Sequence, residues 1–295
     1  MKILMTGGTG FIGSALIPSL LAQHHQITAL ARHPAKAQKQ LPKNIELINT
    51  LDYFQHFNQF DAIINLAGEP IFARRWTEIQ KVRLESSRVS LTEKLAQLIN
   101  RSDDPPQCFI SGSATGYYGD CGEQIIDEHS PPVGNFAARL CRRWEAAALK
   151  ANTRVCLVRT GIVLGTQGGA LAQMLPLYRC GLGVKLSTGK QYWGWISLAD
   201  MVRGILFLLE NPDCRGAFNF VAPHAVRNAE FNALLGKTLR RPHFATVPAF
   251  ILKLMLGERA GLLLDSQNLV PQHLLAQGFQ FEYPDLGEFL AQEIP

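Results

Sequence analysis

The sequence predicts an α/β fold: a doubly wound parallel sheet with a smaller, mostly C-terminal cap. Three observations predict it. The chain opens on the apolar run Lys2-Ile3-Leu4-Met5, which leads into Thr6-Gly7-Gly8-Thr9-Gly10-Phe11-Ile12-Gly13 and then a helical pattern through Leu21. Strand-like and helical patterns alternate through the first half, the order that builds a parallel sheet covered on both faces. A length of 295 residues, 47% of them hydrophobic, is enough to bury a full core and add a cap.

The opening segment carries the most chemistry. A strand feeding a glycine-rich turn that opens a helix is a dinucleotide-phosphate site, the mark of a Rossmann-type sheet. Gly7 takes the tight turn, Gly10 lets the backbone approach a pyrophosphate, and Gly13 lets helix and strand pack closely. The helix then presents free N–H groups and its positive dipole end to the phosphates, with Thr9, Phe11 and Ile12 in the same loop. The second strand, Gln26 to Leu30, ends at Ala31-Arg32-His33, where an Asp or Glu would hold the ribose 2′-OH of NAD. No acid is present. Arg32 is placed to clamp a 2′-phosphate, so the expected cofactor is NADP.

The remaining elements follow in order. Asp61 to Gly68 reads as a buried strand ending on small residues, and Thr77 to Asn100 as one long helix with Val82, Leu84, Leu91, Leu95 and Leu98 on its apolar side. Cys108 to Gly119 is a strand that ends in a Ser/Gly-rich turn, and Gly134 to Glu145 is helical. Arg159 to Gly165 leaves the sheet toward a glycine-rich loop (Gly165, Gly168, Gly169) and a helix ending near Arg179. Gln191 to Asp200 leads into a late helix, and a helical cap begins at Asn228. The expected division is a dinucleotide-binding domain over 1–165 and 193–223, with the cap over 166–192 and 224–295.

Composition excludes several classes. The net charge of +5 is spread along the chain, and Arg74-Arg75 and Arg142-Arg143 are too short to form a nucleic-acid stripe. The apolar stretch Ala249 to Leu264 is interrupted by Lys253, Glu258 and Arg259, which argues against a bilayer span. Because the first strand begins at the N-terminus, a cleaved signal would remove the phosphate loop, and a cytoplasmic location is expected. Six cysteines without C-x-x-C and eight histidines without H-x-x-x-H imply neither disulfides nor a structural metal. The expected partner is a small molecule, not nucleic acid or membrane; monomer and homodimer both stay open.

The G-x-x-G-x-x-G spacing after Thr6 resembles the extended, nucleotide-sugar-epimerase-like branch of the short-chain dehydrogenase/reductase superfamily. Asn65-Leu66-Ala67-Gly68-Glu69, Arg74-Arg75-Trp76, Gly116-Tyr117-Tyr118-Gly119 and Trp144-Glu145-Ala146-Ala147 resemble its atypical "epimerase family" subgroup. The resemblance implies that Leu66, Ala67 and Gly68 line the cofactor and that Arg88 lies on a helix beside the cleft. It also implies that Val163 belongs to the segment covering the nicotinamide half, and that Ser113 hydrogen-bonds the substrate hydroxyl or carbonyl.

Catalysis in that superfamily needs a tyrosine and a lysine four residues apart, so that the ammonium lowers the phenol pKa from about 10. None of the six tyrosines has a lysine at that spacing. If Glu145 matches the family's glutamate one turn beyond the lysine, Ala137 and Cys141 occupy the dyad positions; sliding by one gives Phe136 and Leu140. Three routes stay open: a phenol from Tyr117 or Tyr118, a thiol from Cys141, or cofactor binding without this chemistry. The expected function is an NADP(H)-dependent oxidoreductase or epimerase-like enzyme; the rival is a non-catalytic NADP(H)-binding or redox-sensing module.

Overall fold

The strand β1 (Lys2–Thr6) is central because it is apolar on both faces, with Ile3 and Met5 buried on one side and Leu4 on the other. The structure is a computed structural model and describes residues 1–294. After β1 come α1 (Phe11–Ala22), β2 (Gln26–Leu30), α2 (Pro34–Ala37), β3 (Glu46–Ile48), β4 (Ala62–Asn65), α3 (Glu78–Glu85), α4 (Leu91–Asn100) and β5 (Cys108–Ala114). β6 (Ile125–Ile126), α5 (Phe136–Ala148), β7 (Arg154–Thr160), β8 (Ile162–Gly165), α6 (Gly169–Arg179), β9 (Val184–Leu186), β10 (Tyr192–Trp193), β11 (Trp195–Ser197) and α7 (Leu198–Glu210) follow. The chain closes with β12 (Gly216–Phe220), β13 (Val226–Arg227), α8 (Asn228–Thr238), β14 (Ala245–Val247), α9 (Ala249–Leu256), α10 (Gly261–Leu264), β15 (Asn268–Leu269), α11 (Gln272–Ala276) and α12 (Leu286–Glu293).

Seven strands form one parallel sheet in the order β3-β2-β1-β4-β5-β7-β12, the Rossmann-type α/β arrangement expected from the sequence. The order reverses at β1, which opens a crevice between the C-terminal ends of β1 and β4. Leu16, Ile17 and Leu20 of α1 and Met201, Ile205 and Leu208 of α7 pack on one face. Leu95, Leu98 and Ile99 of α4 and Ala148 of α5 pack on the other.

The helix expected over Thr77 to Asn100 is divided. Ser86–Ser90 forms a π-helical turn between α3 and α4. The start of α3 is capped by the Thr77 hydroxyl, which accepts from Gln80 N–H at 3.3 Å, and α5 is capped in the same way by Asn135. By contrast, α1 and α6 begin at Gly10 and Gly168 with no side-chain cap.

The cap core gathers Leu171, Leu175, Trp193, Trp195, Phe231, Leu235, Phe289 and Leu290. Trp193 and Trp195 are therefore core, with their indole N–H groups donating to the Leu263 and His224 carbonyls. Leu274 and Phe279, from the segment that follows β15, pack in the same cluster as Ile3. This returning segment lies against β12, where His273 Nδ1 bonds the Ala217 carbonyl at 2.7 Å and Glu128 Oε1 accepts from Asn219 N–H at 2.8 Å. Among the described residues no helix is long and apolar enough to cross a membrane, and no three His, Cys, Asp or Glu side chains group as metal ligands.

Candidate functional site

The glycine loop forms a bare backbone cradle at the crevice. Gly7 has φ +75°, and a Cβ on it would lie 2.5 Å from the Leu66 carbonyl carbon and 2.7 Å from Ala67 N. A Cβ on Gly13 would overlap the Gly7 carbonyl oxygen and lie 2.8 Å from Gly8 Cα. Gly10 differs: its Cβ would meet only the Gly7 oxygen, at 3.2 Å, and its side faces open space. The first turn of α1 has no acid and no cap, so its N–H groups point unpartnered from the chain into this space. These residues fit a dinucleotide diphosphate.

Thr9, Phe11 and Ile12 join the cradle, but Phe11 has a second task. A Cβ on Gly168 or Gly169 would lie 2.5 or 2.7 Å from its ring, so the glycines of the 165–169 hairpin form a seat for Phe11. That hairpin is tied down by Glu293, which accepts from Thr166 N–H and Oγ1–H at 2.8 and 2.9 Å. Val163, paired with Ile196 of β11, packs in the same core cluster as Ile3.

Beneath the cradle runs a buried hydrogen-bond chain. Thr6 donates to Asn65 Oδ1 at 2.6 Å, Asn65 Nδ2 donates to Thr92 Oγ1 at 2.8 Å, and Trp144 Nε1 donates to the same oxygen at 3.0 Å. It fixes the end of β4, and hence Leu66, Ala67 and Gly68, against β1 and α5. Beyond β2, the Arg32 side chain is 86% exposed and reaches across to Glu69 at 3.8 Å. Arg88 lies under Gly68; burial pulls its pKa below the usual arginine range, and the neighbouring Cys141 and Glu69 oppose that.

On the far side of β4 stands a second network. Ser113 donates to Glu145 Oε1 at 2.6 Å, and Arg159 grips both Glu145 oxygens, Nε to Oε1 at 2.8 Å and Nη2 to Oε2 at 2.9 Å. Burial works against the Arg159 cation, but Glu145 outweighs it and holds its pKa above the usual range. The guanidinium also lies 3.7 Å from the centre of the Tyr117 ring. Tyr118 is fully buried, donates to Asn219 Oδ1 at 2.7 Å and accepts from Arg159 Nη1 at 2.8 Å. Burial pushes its phenol pKa well up, so the expectation that Tyr118 supplies a proton is corrected: it is a packing and hydrogen-bonding residue.

Gly116, at the turn after β5, faces Ala137 and Cys141, whose Cβ and Sγ would lie 3.4 and 4.0 Å from a Cβ there. Burial, with Glu145 nearby, pushes the Cys141 thiol up to about 12, so it stays a neutral thiol at pH 7. The structure thus brings the glycine loop, Leu66 to Gly68, Arg32 and Arg88 to one crevice, with Ser113 and Tyr117 at the end of the next strand. Sequence reasoning missed Glu145 as the partner of Ser113; its one signal was a carboxylate on the apolar face of α5, opposite an arginine within the apolar run of β7.

Comparison with known proteins matches residues 3–220 to the NAD dependent epimerase/dehydratase family and residues 247–293 to a domain of unknown function, DUF1731. The chain is 39% identical over 291 residues to the Arabidopsis thaliana "Epimerase family protein SDR39U1 homolog, chloroplastic", covering 96% of this chain and 84% of that one. The crystal structure of human epimerase family protein SDR39U1 (isoform2) with NADPH superposes with a TM-score of 0.91 at 35% identity, over 99% of both chains. A Corynebacterium glutamicum nucleoside-diphosphate sugar epimerase gives a TM-score of 0.79 at 27% identity, over 100% of this chain and 58% of that one.

Proposed function

The chain belongs to the NAD dependent epimerase/dehydratase family, and we propose that it is an NADP(H)-dependent oxidoreductase or epimerase-like enzyme acting on a small polar substrate. One observation carries this reading: an uncapped helix start in a bare glycine cradle, with Arg32 where an acid would select NAD. The human relative crystallised with NADPH supports it. Gly7, Gly10, Gly13 and the first turn of α1 hold the diphosphate, and Arg32 exchanges Glu69 for the 2′-phosphate. Leu66, Ala67 and Gly68 form the wall on the β4 side.

Bound NADPH supplies a hydride. Ser113 orients the substrate. Its own proton is committed to Glu145, so its lone pairs accept from a substrate hydroxyl in preference to bonding a carbonyl. Tyr117 supplies the phenol at the end of the strand, its ring fixed by the Arg159 guanidinium. Titration with NADPH and NADH by fluorescence tests the cofactor: NADPH binds more tightly, and Arg32→Ala removes roughly 1.5 to 3 kcal/mol of that preference. Equal affinities for the two in the wild type would refute it.

A second reading, cofactor binding without turnover, is favoured by Ala137 and Cys141 at the dyad positions. A screen of sugar nucleotides and small carbonyl compounds separates the two. Turnover that falls at least about tenfold in Ser113→Ala and in Tyr117→Phe supports the enzyme, and tight NADPH binding with no turnover supports the binding module.

A further inference from the structure

His129 and His273 meet at the margin of β12, three strands beyond β4 and away from the crevice. Their Nε2 atoms are 3.2 Å apart, and their ring planes stand at 77° with centroids separated by 4.9 Å. Imidazole nitrogens about 2.0–2.1 Å from one ion and 3.2 Å from each other subtend about 100° at it, between the octahedral and tetrahedral values. Two rings converging on an ion in that way have centroids about 5 Å apart, whereas nitrogens meeting head-on would separate them by about 5.5 Å. The observed spacing matches the convergent arrangement.

Both rings are held before any ion arrives. A carbonyl only accepts, so the 2.7 Å contact with Ala217 puts the His273 proton on Nδ1 and leaves the Nε2 lone pair free. Metal-binding imidazoles are oriented by this kind of bond, in which the second ring nitrogen donates to a carbonyl or carboxylate. Phe218 stands edge-on to the same ring, with centroids 5.9 Å apart. On the other side, Asp127 Oδ1 accepts from His129 N–H at 3.0 Å, and the Glu128 carbonyl accepts from Arg159 Nη1 at 3.1 Å. The turn that carries His129 is thereby anchored to β7. The local field also favours a cation, because Glu128 is buried and its Oε2 has no donor. His129 itself is exposed, so an ion reaches the pair from solvent.

We propose that His129 and His273 bind a divalent transition-metal ion of the zinc, nickel or copper(II) class, with water completing its coordination. Without an ion the contact is a hydrogen bond from His129 Nε2–H to His273 Nε2; binding moves the His129 proton to Nδ1 and frees both lone pairs for the metal. The ion then clips the turn after β6 to the segment that returns across β12. These residues are 144 positions apart in the chain, so the bound ion ties distant segments together and stabilises the native fold. The site does not depend on the NADP(H) reading.

The test uses the full chain without a histidine tag, titrated with Zn²⁺ by calorimetry and with Cu²⁺ by electron paramagnetic resonance. One Zn²⁺ per chain is expected, with Tm raised by about 3 °C or more at saturation and a Cu²⁺ spectrum that shows two coupled nitrogens. Mg²⁺, which takes oxygen ligands, is expected to give no binding heat. His129→Asn is expected to weaken Zn²⁺ at least about tenfold and to remove one coupled nitrogen, while NADPH affinity stays the same. His273→Asn should do likewise; if it fails to fold because the Ala217 bond is lost, His129→Asn alone carries the test, since the His129 ring makes no bond to β12. Absence of saturable Zn²⁺ binding overturns the proposal, and so does a Zn²⁺ affinity or Cu²⁺ spectrum unchanged in His129→Asn, which would leave the pair an ordinary hydrogen bond.

Discussion

Gly10 and Gly13 are three residues apart in one loop, yet substituting them has opposite consequences. At Gly13 a methyl group would overlap the Gly7 oxygen and lie 2.8 Å from Gly8 Cα and 3.0 Å from the Gly7 carbonyl carbon, all backbone atoms. Carbon–carbon contacts prefer about 3.5–4.0 Å, so α1 must retreat from β1 by roughly 0.7–1 Å, opening the core around Leu16 and Ile17. Overpacking of this kind costs about 1–3 kcal/mol, and the upper end applies because no flexible side chain can absorb it. At roughly 2–4 °C per kcal/mol, Gly13→Ala lowers Tm by about 6–12 °C. A Cβ at Gly10 meets only one atom, at 3.2 Å, and Gly10 already has an extended backbone with φ −80° and ψ 172° that valine adopts readily. The cost to stability stays near 1 kcal/mol, mostly from a poorer N-cap, while the isopropyl group fills the space in front of the helix N–H groups. Calorimetry and NADPH titration on both variants therefore separate: Gly13→Ala melts early, and Gly10→Val melts nearly normally but loses NADPH about a hundredfold or more. Normal NADPH binding by Gly10→Val, or an unchanged Tm in Gly13→Ala, would refute the cradle geometry.

Removing the Tyr118 hydroxyl strands Asn219 Oδ1 and one Arg159 N–H in the interior, so Tyr118→Phe is expected to lower stability by about 1–3 kcal/mol in denaturant titrations. NADPH affinity should not change; a loss confined to binding would count against its packing role. Burial, together with the nearby Asp120, raises the Asp265 pKa to about 6. Because the folded value exceeds the unfolded one of about 4, the contribution of this carboxyl to native stability is most favourable below pH 4 and is lost as pH rises through 6. Asp265→Asn should thus stabilise the protein by about 1 kcal/mol at pH 7, after allowing for partial exposure, and by nothing near pH 4. Melting curves that shift equally at both pH values would contradict this.

The sheet and phosphate loop were legible because they depend on local signals: apolar runs, glycine spacing and the missing acid before Arg32. What escaped was long-range pairing. Nothing near Phe11 indicates that three glycines about 155 residues later exist to seat its ring. Ser113 and Glu145 are 32 residues apart and meet only because α5 packs across the end of β5. The pattern from Thr77 to Asn100 looks unbroken in the sequence, yet the π turn at Ser86–Ser90 divides it. Tyr117 and Tyr118 could not be told apart in the sequence; their adjacent backbone positions direct one ring under Arg159 and the other hydroxyl to Asn219.

The bonds that His273 and Glu128 make to Ala217 and Asn219 also protect the molecule from itself. β12 is the last strand of the sheet, and its outer margin is a row of amides ready to recruit a strand from another chain. Side chains occupy two of those positions, and one of them arrives with a segment more than fifty residues further along. During synthesis the sheet can therefore assemble through β12 before that guard exists, and in that interval Leu274 and Phe279 are also missing from its core. Aggregation of nascent or truncated chains should be nucleated at this margin, and substitutions in residues 271–281 should reduce soluble yield more than they alter the finished protein's cofactor site.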